Sequence, residues 1–322
     1  MRAVLCKAWG EPLVVEEVPS PAVRPGTVKV RVEASGVNFA DTLIVQGKYQ
    51  VKPDLPFTPG IEVAGTVVEA GDGVTVAKTG DRVMGFLPFG AFAEEVVVPE
   101  DHAYVLPDSM DAVSAAAFPV AYGTAHGALE WRGRLKRGEV LLVHGAAGGV
   151  GLAAVEVGKV MGATVIATAG SPEKVAMAME HGADYGIDYS RESIRDRVKE
   201  LTGGADVVFD PVGGDAFDQS LRCINWEGRI IIVGFASGRI PQIPANILLV
   251  KNCAVLGLYW GAYSDRDPAT KRTSLELLLK WQAEGKLKPH VSHVMPMERA
   301  AEALAMLTER KSTGKVVLTT GA

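Results

Sequence analysis

The sequence predicts an α/β protein with two domains: a β-barrel-like domain of short strands, and a doubly wound parallel sheet covered by helices on both faces. Three observations carry this. Residues 1 to about 118 consist of short β-rich runs separated by Gly and Pro turns. From near Asp111 the composition turns helical, and strands then alternate with helices. Finally, five small residues, Gly145 to Gly149, join an apolar strand directly to an alanine- and valine-rich helix. A chain of 322 residues is also too long for one small core, and two domains is the natural count.

In the first part, "TVKVRVEASGV", "IEVAGTVVEAG", "GDRVMGF" and "AFAEEVVVP" read as strands. Pro25-Gly26, Pro59-Gly60 and Gly80-Asp81 punctuate them. "DAVSAAAFPVAYGTAHGAL" then reads as helix, with Asp111 placed to cap it. The central part follows in order. "EVLLVHG" is a buried strand and "GVGLAAVEVGKVMG" a helix closing on Gly162. "TVIATAG" is a strand. "SPEKVAMAMEHG" is a helix with Ser171 as N-cap, Pro172 at the first position and Gly182 past its end. "DYGID", "SRESIRDRVKELTGG", "DVVFDPVGG", "DAFDQSLRCI" and "GRIIIVGF" continue the alternation, which implies a parallel sheet buried on both faces. The tail carries two helices, "TSLELLLKWQAEG" and "PMERAAEALAMLTER", then the strand "GKVVLTT", and is expected to fold back onto the first domain.

Composition removes several function classes. The net charge is −5 and no dense Lys/Arg block occurs, so neither nucleic acid nor an anionic membrane is the expected partner. Cys6, Cys223 and Cys253 are far apart and odd in number, which suits a reducing, cytoplasmic compartment better than a disulfide framework. The N-terminus lacks a secretory signal pattern, and no apolar run is long enough to span a bilayer.

The small-residue run allows two readings. It is either a tight strand-to-helix turn or a place where a ligand approaches the backbone. Strand, "AAGGVG", helix is the context of the dinucleotide fingerprint, with Ala146 in the first glycine place and Gly148 and Gly151 in the second and third. Gly148 would admit a pyrophosphate, Gly151 would let the helix pack closely, and the backbone amides of Gly148, Gly149, Val150 and Gly151 would face its charge. The next strand ends in "ATAGSPEK", with no Asp or Glu where an NAD-binding chain holds the ribose hydroxyls. Gly170, Ser171 and Lys174 stand there instead. A hydroxyl and an ammonium attract a 2′-phosphate, so the expected cofactor is NADPH. Ser171 as a plain helix cap and Lys174 as a solvated cation remain the alternatives.

Four segments together carry a resemblance: "GVNFADTLIVQGKY" (36–49), "LPFTPGIEVAGTVVEAG" (55–71), "HGAAGGVG" (144–151) and "DVVFDPVGG" (206–214). The chain resembles the medium-chain dehydrogenase/reductases, and within them the zinc-independent quinone oxidoreductases related to zeta-crystallin. The resemblance spans essentially the whole chain. It implies a GroES-like substrate domain from residues 1–118 with 264–322, and a Rossmann NADP-binding domain from 119–263, with the cofactor in the cleft. It also implies a homodimer or tetramer joined through the last Rossmann strand, here Cys253–Tyr259.

In zinc-bearing relatives a Cys follows the first "GV" and a His stands in "GHE". Here the first place is Asn38, and the second motif reads Gly60-Ile61-Glu62. The superfamily's ligand set is missing, so no metal is expected. His290 and His293, three apart in a strand, would face opposite sides and are read as solvated; His144 is read as positional.

Without a Lewis acid, hydride delivery to an already electrophilic acceptor is the easier chemistry. A quinone or conjugated enone needs only hydrogen bonding at the developing oxyanion and a proton. By the resemblance, Tyr49 falls where related reductases place an active-site tyrosine. Asn38 would point into the same cleft, and Thr124 would begin a helix beside the nicotinamide. Tyr189 matches a position near the adenosine 2′-phosphate. Val212 follows the fourth strand of the sheet, and Gly234, Phe235 and Ala236 the fifth, at the ligand-binding carboxyl edge. Trp260 and Tyr263 would wall a flat acceptor pocket or else pack in the core or an interface. The resulting expectation is an NADPH:quinone reductase-like enzyme. The alternatives are an enoyl-thioester reductase and a non-catalytic NADPH-binding protein.

Overall fold

A computed structural model describes residues 1–321. The chain forms two compact units. One comprises Met1–Val120, Ser264–Ala283 and the segment from Pro289 onward; the other comprises Ala121–Tyr263 with Glu284–Lys288. Glu284–Lys288 thus joins the central unit rather than the tail, and the Lys288 amide donates to Glu156 Oε2 at 2.9 Å.

The first unit contains β1 (Arg2–Leu5), β2 (Val14–Glu17), β3 (Thr27–Val37), α1 (Phe39–Ile44), β4 (Glu62–Ala70), β5 (Arg82–Phe86), β6 (Glu95–Pro99), β7 (Ala103–Val105) and α2 (Ala112–Ala116). Its sheet has the order β14-β15-β3-β4-β5-β7, with β6 also pairing β3; β14 (Val291–Pro296) and β15 (Lys315–Thr319) come from the tail. β3 organises this sheet. Val28, Val30 and Val32 point inward at every second position, while Lys29 and Arg31 point away. Register shifts against β4 at Lys29/Val30 and Val32/Ala34 bend β3. One end therefore pairs β6 over Thr27–Arg31, and the other pairs β15 over Ala34–Val37. Val4 and Phe92 share a core with Met295, Met297, Leu304, Val316 and Leu318, so both ends of the chain close the same unit.

The helix expected from Asp111 onward is interrupted. Asp111 caps α2 through Ser114 N at 2.9 Å, but Pro119 has no N–H to continue the ladder. A new helix, α3 (Pro119–His126), starts there and runs on as a π-helical turn over Gly127–Arg132.

The second unit contains β8 (Val140–Val143), α4 (Gly149–Met161), β9 (Thr164–Ala169), α5 (Pro172–Glu180), β10 (Tyr185–Asp188), α6 (Ile194–Thr202), β11 (Ala205–Asp210), α7 (Gly214–Cys223), β12 (Ile224–Ile232), α8 (Ala245–Lys251) and β13 (Ala254–Gly257). All six strands are parallel, in the order β10-β9-β8-β11-β12-β13. Leu142, Ile166, Val208 and Ile230 form one face with Val198, Phe217 and Leu221 of α6 and α7. Leu141 and Val165 lie on the other face beneath Gly158 of α4, where a Cβ would approach Leu141 Cδ2 to 2.4 Å. The order reverses between β8 and β11, and this switch point locates a ligand crevice at the strands' carboxyl ends. The last strand is shorter than expected, Ala254–Gly257 rather than Cys253–Tyr259, because the chain turns into a 3-10 helix at Trp260. The tail's helices α9 (Tyr263–Arg266), α10 (Pro268–Ala283) and α11 (Ala300–Thr308) complete the chain.

Candidate functional site

Four loops converge at the carboxyl edge of the parallel sheet. After β8, Gly145 takes φ +58, and Gly148 N-caps α4 with an extended φ of −84. Gly148 has no side chain to cap the helix, so the amides of Gly149, Val150 and Gly151 receive no side-chain cap from it. A Cβ on Gly151 would lie 2.1 Å from Gly145 O, so only glycine lets the helix start this close to the strand. A Cβ on Gly148 would meet nothing nearer than 3.3 Å. The two glycines therefore differ in kind: Gly151 is demanded by internal packing, whereas Gly148 leaves open space over the backbone. That cradle fits an anionic diphosphate.

The loop after β9 carries Gly170 and Ser171. Ser171 caps α5, accepting from Lys174 N at 3.4 Å, with Pro172 in the first turn as expected. Tyr189 follows β10, is 42% exposed, and its phenol lies so close to Gly170 that a Cβ there would fall 2.8 Å from Tyr189 Oη. The Tyr189 amide donates to Ala169 O at 3.1 Å, which brings Gly170, Ser171, Lys174 and Tyr189 to one corner. Asp188 occupies the same corner, 3.4 Å from Arg191 Nε and bonded to Ser190 Oγ, which lowers its carboxyl below the usual range. Arg191 escaped the sequence reading, although it stands only two residues beyond Tyr189.

The loops after β11 and β12 are held together. Asp210 Oδ1 accepts from the amides of Val212 and Gly213, both at 2.8 Å. Ala236 N donates to Pro211 O and Ser237 N to Val212 O. Val212 stands against Gly145, where a Cβ would meet its Cγ2 at 3.3 Å. Gly234, Phe235 and Ala236 thus border the same crevice, with Phe235 exposed.

His144 is positional in a specific way. Its Nε2 lies 2.6 Å from Ser220 Oγ and its Nδ1 3.0 Å from Thr168 Oγ1, and all three side chains are buried. Ser220 Oγ already donates to Ala216 O, so His144 carries its proton on Nε2 and Thr168 donates to Nδ1. Burial lowers the imidazole's pKa, and the neutral ring ties the ends of β8 and β9 to α7.

Several other candidates sit differently from expectation. Thr124 is buried in the second half of α3 rather than at its start. Trp260 is buried, and its ring covers Gly123 so tightly that a Cβ there would approach within 2.4 Å. It packs the core of its unit, the alternative to the open pocket wall. Tyr263 is half-buried, its ring 4.5 Å from that of Trp131. His290 and His293 are half-buried and bonded to Thr313 and Ser292, rather than solvated.

In the first unit a buried polar cluster surrounds Asn38. Lys315 Nζ donates to Asn38 Oδ1 at 2.6 Å, to Glu62 Oε1 at 2.6 Å and to Val37 O at 2.9 Å. Asn38 Nδ2 donates to Glu62 Oε1 at 2.8 Å, and Val120 N to Glu62 Oε2 at 2.9 Å. Both ends of the Asn38 amide are therefore committed to protein partners, which makes it a positioning group for α1 rather than a side chain aimed at a ligand. Asp41, three residues on, accepts from Asn38 N at 2.8 Å. It is fully buried, and burial pushes its carboxyl up to about 7. Neither Asp41 nor Lys315 stood out in the sequence. The i to i+3 spacing of Asn38 and Asp41 is a capping-box signal, but Lys315 lies 277 residues from Asn38 and gives no local sign.

α1 leads to Gly47 at φ +66 and then to Tyr49, which is half-buried against the cluster of Cys6, Ile44 and Phe57. Among the described residues, no group of three or more His, Cys, Asp or Glu side chains is placed to hold a metal ion.

Comparison with known proteins agrees with this geometry. Residues 24–108 match the alcohol dehydrogenase GroES-like domain, and residues 149–280 match the zinc-binding dehydrogenase family. The chain is 49% identical over 325 residues to a quinone oxidoreductase-like protein 2 homolog of Nematostella vectensis, covering 99% of this chain and 89% of that protein. It is 37% identical to a quinone oxidoreductase of Pseudomonas aeruginosa, covering 97% of each. The crystal structure of Escherichia coli quinone oxidoreductase complexed with NADPH superposes with a TM-score of 0.92 at 31% identity, covering 99% of this chain and 100% of that one. A GroES-like β unit, a parallel-sheet nucleotide unit and relatives matched over nearly all of this chain place it in the quinone oxidoreductase family of the medium-chain dehydrogenase/reductases.

Proposed function

We propose that this protein is an NADPH-dependent reductase that passes hydride to a quinone or conjugated enone without a metal. The observation that carries the reading is the Gly148–Gly151 cradle at the switch point, followed by a second strand that ends in Gly170, Ser171 and Lys174 instead of an acid. The Escherichia coli relative holds NADPH, which supports the same cofactor here.

In this reading the backbone amides of Gly149, Val150 and Gly151 bind the diphosphate, while Gly148, whose own amide donates to Gly145 O at 2.9 Å, leaves room for its approach. Ser171, Lys174 and Tyr189 hold the 2′-phosphate beside Gly170, and Val212, Gly234, Phe235 and Ala236 border the remainder of the dinucleotide. Bound NADPH supplies a hydride. With one proton, that hydride converts a quinone to its hydroquinone and leaves NADP⁺. Tyr49 donates a hydrogen bond to the oxygen on which charge develops. Asn38 acts indirectly, fixing the start of the helix that leads to Tyr49, and Thr124 supports the nicotinamide end. The superfamily's zinc positions hold Asn38 and Ile61, neither of which is a zinc ligand, so no Lewis acid enters the scheme.

The same reading includes a homodimer through the sheet edge. Among the described residues β13 pairs only with β12, and Leu249 and Val250 of the adjoining α8 are 80% and 70% exposed. The three cysteines are free and buried, in keeping with a cytoplasmic location. No helix of the described residues is long and apolar enough to cross a membrane.

The test is the fall of NADPH absorbance at 340 nm with three acceptors in parallel: a quinone, a simple enone and a short enoyl-CoA. Turnover with quinone or enone supports the proposal. Turnover confined to the thioester assigns the enzyme to enoyl-thioester reduction. Tight NADPH binding with no turnover of any acceptor assigns it a non-catalytic role.

A further inference from the structure

Trp9, Phe57 and Phe89 form a contiguous apolar surface on the first unit, and Leu55 stands two residues before Phe57 in the chain. Phe57 is its buried centre, with the Trp9 ring 5.6 Å away and the Phe89 ring 6.0 Å away, centroid to centroid. Trp9 and Phe89, from separate loops, are 38% and 37% exposed beside Phe57, and Leu55 is 37% exposed two residues before it. Isolated exposed apolar residues are ordinary, but a connected group of this kind marks a binding surface.

Its position says what binds there. The Trp9 ring lies on Gly47, where a Cβ would fall 3.1 Å from Cδ2, so the turn that leads to Tyr49 is kept bare for the indole. Tyr49 itself packs against the Phe57 cluster. The patch therefore continues directly from the residue assigned to the acceptor's oxygen.

We propose that Trp9, Leu55, Phe57 and Phe89 form a subsite for an apolar substituent of the acceptor, an alkyl or isoprenoid tail or a fused aryl ring, so that the favoured substrate is a lipophilic quinone rather than a small one. The inference rests on the reductase reading and on Tyr49 facing the acceptor. Its chemistry is that of the surface: flat aromatic faces with no charged group among the four, suited to dispersion and apolar burial.

The experiment compares two quinones that share a head group, 2,3-dimethoxy-5-methyl-1,4-benzoquinone and its 6-decyl derivative, using the full-length protein. The expected kcat/KM ratio favours the decyl compound by about ten-fold or more, and Trp9→Ser or Phe89→Ala reduces that ratio several-fold. Trp226→Ser, an exposed tryptophan on the other unit, leaves the ratio unchanged. A ratio near one in the wild type, or a ratio indifferent to both patch substitutions, overturns the subsite. Should neither quinone be reduced, the quinone part of the reductase reading fails by itself, and binding decides the subsite. Decyl-quinone quenching of tryptophan fluorescence that Trp9→Phe diminishes supports it. No such quenching, with a change of oligomeric mass in Trp9→Ser by light scattering, assigns the patch to a protein contact and rejects the subsite.

Discussion

Lys315 Nζ lies 2.6 Å from Glu62 Oε1, with only 7% and 0% of the two side chains exposed. One end of this ion pair sits in β15 near the C-terminus and the other at the start of β4, so it fastens the tail of the chain into the first sheet. Such a pair is held by its geometry: the same ammonium also serves Asn38 and Val37, and the same carboxylate takes Asn38 and the Val120 amide. Lys315→Met leaves Glu62 charged and buried, and is expected to cost about 3–5 kcal/mol in urea unfolding. The double variant Lys315→Met/Glu62→Gln recovers a large part of that loss, because no uncompensated charge remains. Equal destabilisation by the single and double variants would show that packing, not charge, dominates there.

Asp41 gives the cluster a pH dependence with a defined sign. Its carboxyl is raised by burial from the usual 3.8 to about 7, so the folded state favours the protonated form. The associated stabilisation is complete below about pH 4 and is lost as the pH rises to about 7. Asp41→Asn removes this dependence. The difference in urea midpoint between Asp41→Asn and wild type therefore shifts in favour of the variant from pH 4 to pH 8. A difference that stays flat, or shifts toward wild type, contradicts the raised carboxyl.

The two glycines of the cradle separate structural from ligand roles. Gly151→Ala puts a Cβ 2.1 Å from a backbone oxygen and is expected to lower stability by about 1–3 kcal/mol, with or without cofactor. Gly148→Ala meets only a 3.3 Å contact at an ordinary negative φ, so its melting temperature stays near that of wild type. Its dissociation constant for NADPH rises by about ten-fold, since the methyl group occupies the diphosphate's approach. Thermal melts and fluorescence titration of both variants check this.

Most of the second unit was legible in its sequence because its signals are local. Ser171 and Pro172 begin α5, Gly162 closes α4 in the left-handed region at φ +88, and the small residues after β8 mark the loop that carries the cradle. The polar cluster of the first unit was hidden for the opposite reason: β15 pairs with β3 across most of the chain, and nothing near Lys315 announces a partner 253 residues away. Asn38 was noticed as a missing metal ligand, yet its bonding to Lys315 and Glu62 could not be foreseen. Trp260 was read from its aromatic surroundings either as a pocket wall or as core or interface packing; its burial depends on Gly123, which lacks the side chain that would have kept the ring away.

In the proposed reading Lys174 sets the choice between coenzymes. Lys174→Ala is expected to weaken NADPH by about ten- to hundred-fold, the worth of one charge-assisted contact, while leaving NADH little changed. Equal weakening of both coenzymes would place the 2′-phosphate elsewhere.

Calorimetric titration of the wild-type protein with NADPH and, separately, with NADH tests the central claim most directly. Saturable heat at one NADPH per chain, with markedly weaker NADH binding, is the predicted result. No heat with either reduced coenzyme, or indistinguishable affinities for the two, would contradict it.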